Sequence, residues 1–373
     1  MNWKLTLSYD GSTFHGWQVQ PNLPTIQGTL ATALHHLTGE TVLPQGSGRT
    51  DAGVHALAQV TTFQLEAAIP AENLLRALNR ALPPSIRVLS AEPVPETFHA
   101  RHSAIGKTYE YRIFQRRPNL IPTAPPTSEI TPDLICSPFL APYVWNCHWP
   151  LNLEAMHQSA ALLLGIHDFT SFAASDPDLA QREALSRPKQ HEAPTELSSR
   201  PEHRAFMRHS GEIPVFEGLD ATSTSHNPSN KSNPNPSTLG VISPGNERYP
   251  KALALGLIPP AEERGFSPGS GPNPTKTLTQ STLTLENDLL IYRITGSGFL
   301  HHMVRNIVGT LVEVGRGALT PADISRILSA RDRTTAGPTA PASGLFLHTV
   351  HYSENPGAPG PAFGARVSTE PQP

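Results

Sequence analysis

One carboxylate stands in a glycine-rich bend of this 373-residue chain: Gly46-Ser47-Gly48-Arg49-Thr50-Asp51-Ala52-Gly53-Val54-His55, with Asp51 two residues after an arginine. Three glycines within eight positions leave little side chain for a core, so the backbone here either turns sharply or comes close to another group. The run from Val60 to Leu65 then reads as a strand, and a carboxylate on the bend before it is displayed rather than buried. An ionised carboxylate so displayed can act as a nucleophile. Arg49 is a candidate for keeping it ionised, because a nearby guanidinium lowers a carboxylate pKa. Taken alone, the decamer has a simpler account, an Asp that accepts hydrogen bonds from its own turn.

Other loop chemistries fail on spacing. No Gly-Lys-Ser/Thr follows the bend, so it is not a phosphate loop, and the alternating acidic ligands of a calcium loop are missing. A two-carboxylate glycosidase needs a second acid, whereas Asp51 is the only acidic residue between Glu40 and Glu66. His15, His55, His99, His102, His301 and His302 lack H-E-x-x-H spacing and partner cysteines, so no metal centre is expected. Hydrogen-bonding or RNA-contacting roles suit these rings better. Cys136 and Cys147 are the only cysteines, too few for a disulfide framework or a zinc pattern.

A formal net charge of −3 does not by itself point to a nucleic-acid partner. The average conceals a local imbalance. Between His99 and Arg117, Arg101, Lys107, Arg112, Arg116 and Arg117 face one acid, Glu110, with Tyr109, Tyr111 and Phe114 interleaved. Cations with stacking faces suit RNA, whose phosphates take Arg and Lys and whose splayed bases take aromatic planes. An amphipathic strand with a solvated charged face is the alternative.

Four further stretches decide between these readings. They are Phe14-His15-Gly16-Trp17-Gln18 with Thr25-Ile26-Gln27-Gly28; Phe98-His99-Ala100-Arg101 leading to Lys107-Thr108-Tyr109-Glu110-Tyr111; His167-Asp168-Phe169-Thr170-Ser171-Phe172; and Gly298-Phe299-Leu300-His301-His302-Met303-Val304-Arg305-Asn306-Ile307-Val308-Gly309. With the Asp51 decamer, and in this order, the set resembles the tRNA pseudouridine synthase A family. That resemblance implies an isomerase that converts uridine to pseudouridine at positions 38, 39 and 40 of the tRNA anticodon stem-loop, acting as a homodimer on tRNA. It implies Asp51 as the nucleophile, Tyr109 stacked on the flipped uracil, Arg49 extruding the target nucleotide or contacting its backbone, and Arg101 and Arg305 as substrate contacts. Uracil never leaves the pocket in this rearrangement, so no cofactor, nucleotide or metal is called for. His102 departs from the pattern, standing where relatives often carry an aromatic. A non-catalytic RNA-binding protein or RNA chaperone on the same fold is the other class to weigh, and joint retention of Arg49, Asp51 and Tyr109 argues against it.

The elements that must position these residues form two similar halves. The first reads as a strand from Trp3 to Tyr9, a helix from Ile26 to Leu37 stopped by Gly39, a short strand near Val42, the Val60 strand, a helix from Ala71 to Ala81 halted by Pro83-Pro84, and a strand from Ile86 to Ser90. The second reads as a strand from Thr108 to Phe114, a helix from Leu153 to Leu164 capped by Asn152, strands Ser281–Leu285 and Leu289–Thr295, and a helix from His302 to Val314. Met303, Ile307 and Leu311 of that helix face the core, and Gly315 closes it. An added helix starts at Thr320-Pro321, and a strand from Leu345 to Tyr352 ends the series. The spacing therefore fits an α+β fold of two ferredoxin-like β-α-β-β-α-β halves; the family resemblance implies that their strands form one mixed, largely antiparallel sheet beside a central RNA-binding cleft.

Residues 1–104 make the half that carries the Asp loop, and 105–353 the half that carries Tyr109. An insert at about 176–276 interrupts the second half. Of 39 prolines, 15 lie between Pro177 and Pro274 among many Ser and Asn, a composition that cannot bury enough apolar surface to fold, so disorder is expected there and in the tail, 354–373. The insert's charges nearly balance, which gives no support for an extra phosphate-binding surface. The start, Met1-Asn2-Trp3-Lys4, lacks a signal-peptide pattern and no apolar run is long enough for a bilayer, so a cytoplasmic protein without membrane contact is expected.

Overall fold

Alternation builds the first strand. In β1 (Asn2–Tyr9), Trp3, Leu5, Leu7 and Tyr9 share one face and are all buried. Each large apolar side chain so withdrawn from water contributes about 1.5–3 kcal/mol. The computed structural model describes residues 1–116, 134–174 and 273–353. The tail and nearly all of the expected insert lie outside them.

The remaining strands are β2 (Gln45–Gly46), β3 (His55–Gln64), β4 (Ile86–Val94), β5 (Ala104–Gln115), β6 (Trp145–Cys147), β7 (Gly165–Asp168), β8 (Thr275–Glu286), β9 (Leu289–Gly296) and β10 (Leu345–Tyr352). They form one mixed sheet in the order β4-β1-β3-β10-β5-β9-β8-β7, with β2 added to β3 and β6 to β5. Two copies of one pattern are visible in that order. In the first, β4-β1-β3-β2 runs fourth, first, third, second; in the second, β10-β5-β9-β8 does the same. Pairing is antiparallel within each set. This is the α+β arrangement the spacing implies.

A short parallel contact joins the sets, Phe346 opposite His55 and Leu347 opposite Ala56. Since β1 fills one edge of β3, β10 and β2 share the other, β2 pairing only at Thr61 and Thr62. The Asp51 loop connects β2 to β3, so it leaves the sheet where the two sets meet.

Helix α1 (Ile26–Thr38) is capped by Thr25 and ends at Gly39 in the left-handed conformation, φ 76°. Helix α2 (Ala71–Ala81) buries Leu74 and Leu78 and stops ahead of Pro83-Pro84. Helix α3 (Leu153–Ala161) starts on its expected Asn152 cap but ends three residues before the expected Leu164, because Gly165, at φ 101°, already opens β7.

The long helix of the second set, α4 (Met303–Gly315), differs from its one-faced expectation. Val304, Asn306, Val308, Gly309, Thr310 and Val312 are buried as fully as Met303, Ile307 and Leu311. Burial around most of its circumference means that other elements surround this helix. Gly315 is its last helical residue rather than its stop, and the left-handed turn falls at Gly317, φ 82°. Helix α5 (Pro321–Ala330) opens on Thr320, whose N–H donates to Asp323 at 2.8 Å. Among the described residues, no helix is long and apolar enough to cross a membrane.

Candidate active site

The Asp51 loop is held at both ends and in the middle. Ser47 N–H donates to Val60 O at 2.8 Å, and Gln59 reaches back to donate to Gly48 O at 2.8 Å. Trp17 N–H donates to Thr50 O at 3.0 Å, and the Thr50 hydroxyl pairs with the Tyr9 phenol at 2.8 Å. Gly53, at φ 76°, donates to Phe14 O, and Val54 N–H closes the turn on Asp51 O at 3.1 Å. Gly16 lies against the loop at φ 84°, where any Cβ would come within 2.6 Å of Thr50 O. The Phe14–Gln18 stretch is thus the cradle of the loop. Its backbone holds the loop at Thr50 and Gly53, and the Asp51 carboxylate is left to side-chain partners.

That carboxylate, 26% exposed, meets the start of α4. Oδ2 lies 3.2 Å from His302 Nε2 and 3.2 Å from Arg305 Nη1, and Oδ1 lies 3.6 Å from His301 Nε2. Arg305 is fixed in turn: its Nε donates to Ala340 O at 2.7 Å, and Ala340 N–H donates to Arg305 O at 3.1 Å. Burial is the largest influence on Asp51 and pushes its pKa up. The hydrogen bond from His302 and the charges of His302, His301 and Arg305 together outweigh it, so Asp51 titrates below the usual aspartate range.

His302 holds a left-handed backbone, φ 58°, at the N-cap of α4. A non-glycine residue there costs of order 1–3 kcal/mol and persists where the surroundings impose it. Those surroundings include Asn306, fully buried, which donates to Phe172 O at 2.7 Å and accepts from Arg333 and Thr339. The His167–Phe172 stretch therefore anchors the helix whose first turn grips Asp51.

Tyr109 lies on β5 beside Leu347 of β10 and Ile294 of β9, buried, with Phe299 edge-on at 5.0 Å. Burial first, then the charges of Tyr9 and Asp51, push its phenol well above the usual range. It is a neutral ring, buried within reach of the Asp51 charge.

Other residues of the basic stretch are placed differently from one another. Arg112 is not presented to a nucleic acid. It donates through Nε to Glu110 at 2.8 Å and stacks on the Phe346 ring at 4.0 Å. Glu110, buried, also accepts from Arg293 at 2.8 Å. Tyr111 and Phe114 are core residues, and the Tyr111 hydroxyl donates to Pro341 O. The stretch is an interior strand, and an interior strand needs its aromatics for packing and its charges for pairing. Arg101 is exposed on the turn before β5, Arg49 is exposed on the Asp51 loop, and Arg117 lies outside the described residues.

The histidines separate into groups. His55 is buried against Phe346, 3.2 Å from Asp10, and the His99 and His102 rings meet tilted by 50°, their centres 4.4 Å apart. Among the described histidines, only His301 and His302 reach Asp51, a contact their motif does not announce. Asp51, His301 and His302 offer ligand atoms within 4.8 Å of one another. Arg305 already stands on the same carboxylate at 3.2 Å, and its fixed charge opposes a second cation there.

Comparison with known proteins gives one consistent result. A family model described as tRNA pseudouridine synthase matches residues 6–103 and 264–353. The tRNA pseudouridine synthase A of Solibacter usitatus is 38% identical over 349 residues, covering 94% of this chain and 98% of that protein. Those of Moorella thermoacetica and Rhodospirillum centenum are 34% and 33% identical over 351 residues, again covering 94% of this chain and 98% and 99% of theirs. With the paired-set sheet and the Asp51 loop, these matches place the chain in the tRNA pseudouridine synthase family of isomerases.

Proposed function

We propose that this protein isomerises uridine to pseudouridine at positions 38, 39 and 40 of the tRNA anticodon stem-loop, with Asp51 as nucleophile. The observation that carries the reading is a carboxylate kept ionised by His302, His301 and Arg305 beside a buried, neutral tyrosine. In the reaction the bond from ribose C1′ to uracil N1 breaks, a bond from C1′ to C5 forms, C5 loses its proton and N1 gains one. Atoms and electrons balance within the nucleotide, so the chemistry asks for a nucleophile, a base pocket and a proton path, not a redox partner.

Asp51 attacks either the glycosidic carbon or an electrophilic ring position. Oδ2 carries the closer contacts, His302 and Arg305 at 3.2 Å each, while His301 stands off Oδ1 at 3.6 Å, which favours Oδ1 as the attacking oxygen. The extruded base stacks on Tyr109, recovering part of the few kcal/mol lost on leaving its helix. Arg49, exposed on the same loop, holds the displaced backbone, and Arg101 takes a phosphate. Residues 1–104 and 105–353 act as the two halves of the site. The working unit is a homodimer in the cytoplasm, as the family resemblance implies. Mapping pseudouridines in bulk tRNA from cells with and without this protein tests the reading: loss confined to positions 38–40 supports it, and an unchanged map rejects it.

A further inference from the structure

Two lysines near the candidate site are half-buried with no partner. Lys107 on β5 and Lys276 on β8 make no hydrogen bond or ion pair with any described residue, although an ammonium withdrawn from water is costly unless something supplies the counter-charge. Their placement is specific. Lys107 Nζ lies over Gly48, where a Cβ would come within 2.9 Å of it, and Lys276 Nζ lies 4.0 Å from the corresponding point at Gly298. Gly48 stands three residues before Asp51 and Gly298 three residues before His301, and Asp51 and His301 are themselves 3.6 Å apart. Lys107 thus lies beside the loop that carries Asp51, and Lys276 beside the segment that carries its neighbour His301.

The strands fix the rest. Lys107 pairs with Gly296 on β9, Leu278 of β8 pairs with the same glycine, and Lys276 is two residues from Leu278, so both amines belong to one face of the sheet. Tyr109, two residues and about 7 Å along β5, is on that face too. Exposed Arg101 adds a third charge: burial first, then Arg101 and Lys276, lower the Lys107 pKa to about 8. No acid is paired to Lys107, Lys276 or Arg101 among the described residues.

We propose that Lys107 and Lys276, with Arg101 at the rim, form a phosphate subsite that grips an RNA phosphodiester next to the target nucleotide. The proposal rests on the tRNA-modifying reading above. An anion between the two amines would satisfy both and relieve their repulsion, and the missing side chain at Gly48 is what lets the Lys107 amine lie there. The subsite fixes the strand next to the extruded base while Tyr109 holds the base itself.

The test is the salt dependence of binding to an anticodon stem-loop RNA, measured for the full-length wild type, Lys107→Met, Lys276→Met and Gly48→Ala. Each lysine variant is expected to weaken binding roughly 3- to 10-fold at low salt and to reduce the slope of log K against log salt by about 0.7–1. Gly48→Ala keeps every charge but pushes Nζ aside, so it is expected to weaken binding in the same direction with an unchanged unfolding midpoint. Slopes equal to wild type in both lysine variants overturn the subsite. Saturable inorganic phosphate binding that the variants abolish, with RNA slopes unchanged, assigns the site to free phosphate and also overturns it. Pseudouridine formation by the wild type is scored in parallel. Its absence counts against the proposed reaction, while the slopes alone decide the subsite.

Discussion

Asp51 and Arg305, 254 residues apart, meet through Nη1 and Oδ2 at 3.2 Å, and the arginine that makes this contact is fixed by Ala340 rather than free to swing. The pair ties the loop of one strand set to the first turn of the other set's buried helix. It makes Arg305 a positioning residue for the carboxylate, with consequences that a purely structural ion pair would not have.

Removing the guanidinium should move a pKa as well as a rate. Arg305→Gln takes away one of the charges that hold Asp51 below the usual range while burial still pushes it upward. The acid limb of the kcat/KM profile is expected to shift to higher pH, with a rate loss of roughly 10- to 100-fold at pH 7, the size seen when a supporting partner is removed. A slower enzyme whose acid limb stays in place would assign Arg305 to folding alone.

His302 should show stability and activity moving in opposite directions. Its φ of 58° is one that glycine adopts freely, so His302→Gly relieves backbone strain of about 1 kcal/mol. The same change removes the 3.2 Å contact to Asp51. Thermal unfolding is expected to be unchanged or to rise slightly while turnover falls. Full activity with a lower midpoint would contradict the assignment.

Glu110 is the corresponding structural test. It is buried between Arg112 and Arg293, each at 2.8 Å, and burial, though the largest influence, is outweighed by these partners, so its pKa is lowered. A depressed folded-state pKa gives stability that is present above the unfolded carboxylate value and lost as pH falls through the folded one. Glu110→Gln is expected to cost roughly 3 kcal/mol at pH 7 in a denaturant titration, and the gap to wild type should close on acidification below the ordinary glutamate range. A constant gap across pH would show that the loss has another origin.

Lys107 gives binding its own pH signature. With Arg101 and Lys276 facing it and its pKa near 8, it carries its charge below that value and loses it above. Affinity for the stem-loop is expected to fall between pH 7 and pH 9 in the wild type and to vary less in Lys107→Met. Parallel curves for the two proteins would remove Lys107 from the interface.

Local pattern made the elements legible, and distance hid the site's assembly. Ala71–Ala81 ends at its prolines, β10 spans Leu345–Tyr352 and β1 alternates, because each is dictated by neighbours in sequence. Strand ends were less legible. β3 begins at His55 rather than Val60, where alanines carry little strand signal but Ala56 pairs with β10, and β8 begins at Thr275 rather than Ser281 because β7 pairs with its first residues. Near Val42 the expected strand is only Gln45–Gly46. Trp145–Cys147 and Gly165–Asp168 are strands only by virtue of β5 and β8, and nothing in such short runs declares it.

In the proposed site, Asp51, Tyr109 and Arg305 stand in distinctive motifs, which is why the sequence singles them out, and the structure joins Asp51 to Arg305. Arg101 stands instead at the rim near Lys107. The grip of His301 and His302 on Asp51 was not legible, since no periodicity links residues 250 positions apart. The pairing of Arg112 is hidden from the sequence for a related reason. Its partners Glu110, Arg293 and Phe346 come together only once β5 is placed between β9 and β10.

The central claim is that Asp51 attacks the target nucleotide. Asp51→Asn keeps the shape of the side chain and removes its charge and nucleophilicity. The direct measurement is release of label from the uracil C5 position of a stem-loop substrate, with binding of the same RNA measured alongside. The account predicts no release above background and affinity within a few-fold of wild type. Label release at a substantial fraction of the wild-type rate would contradict it.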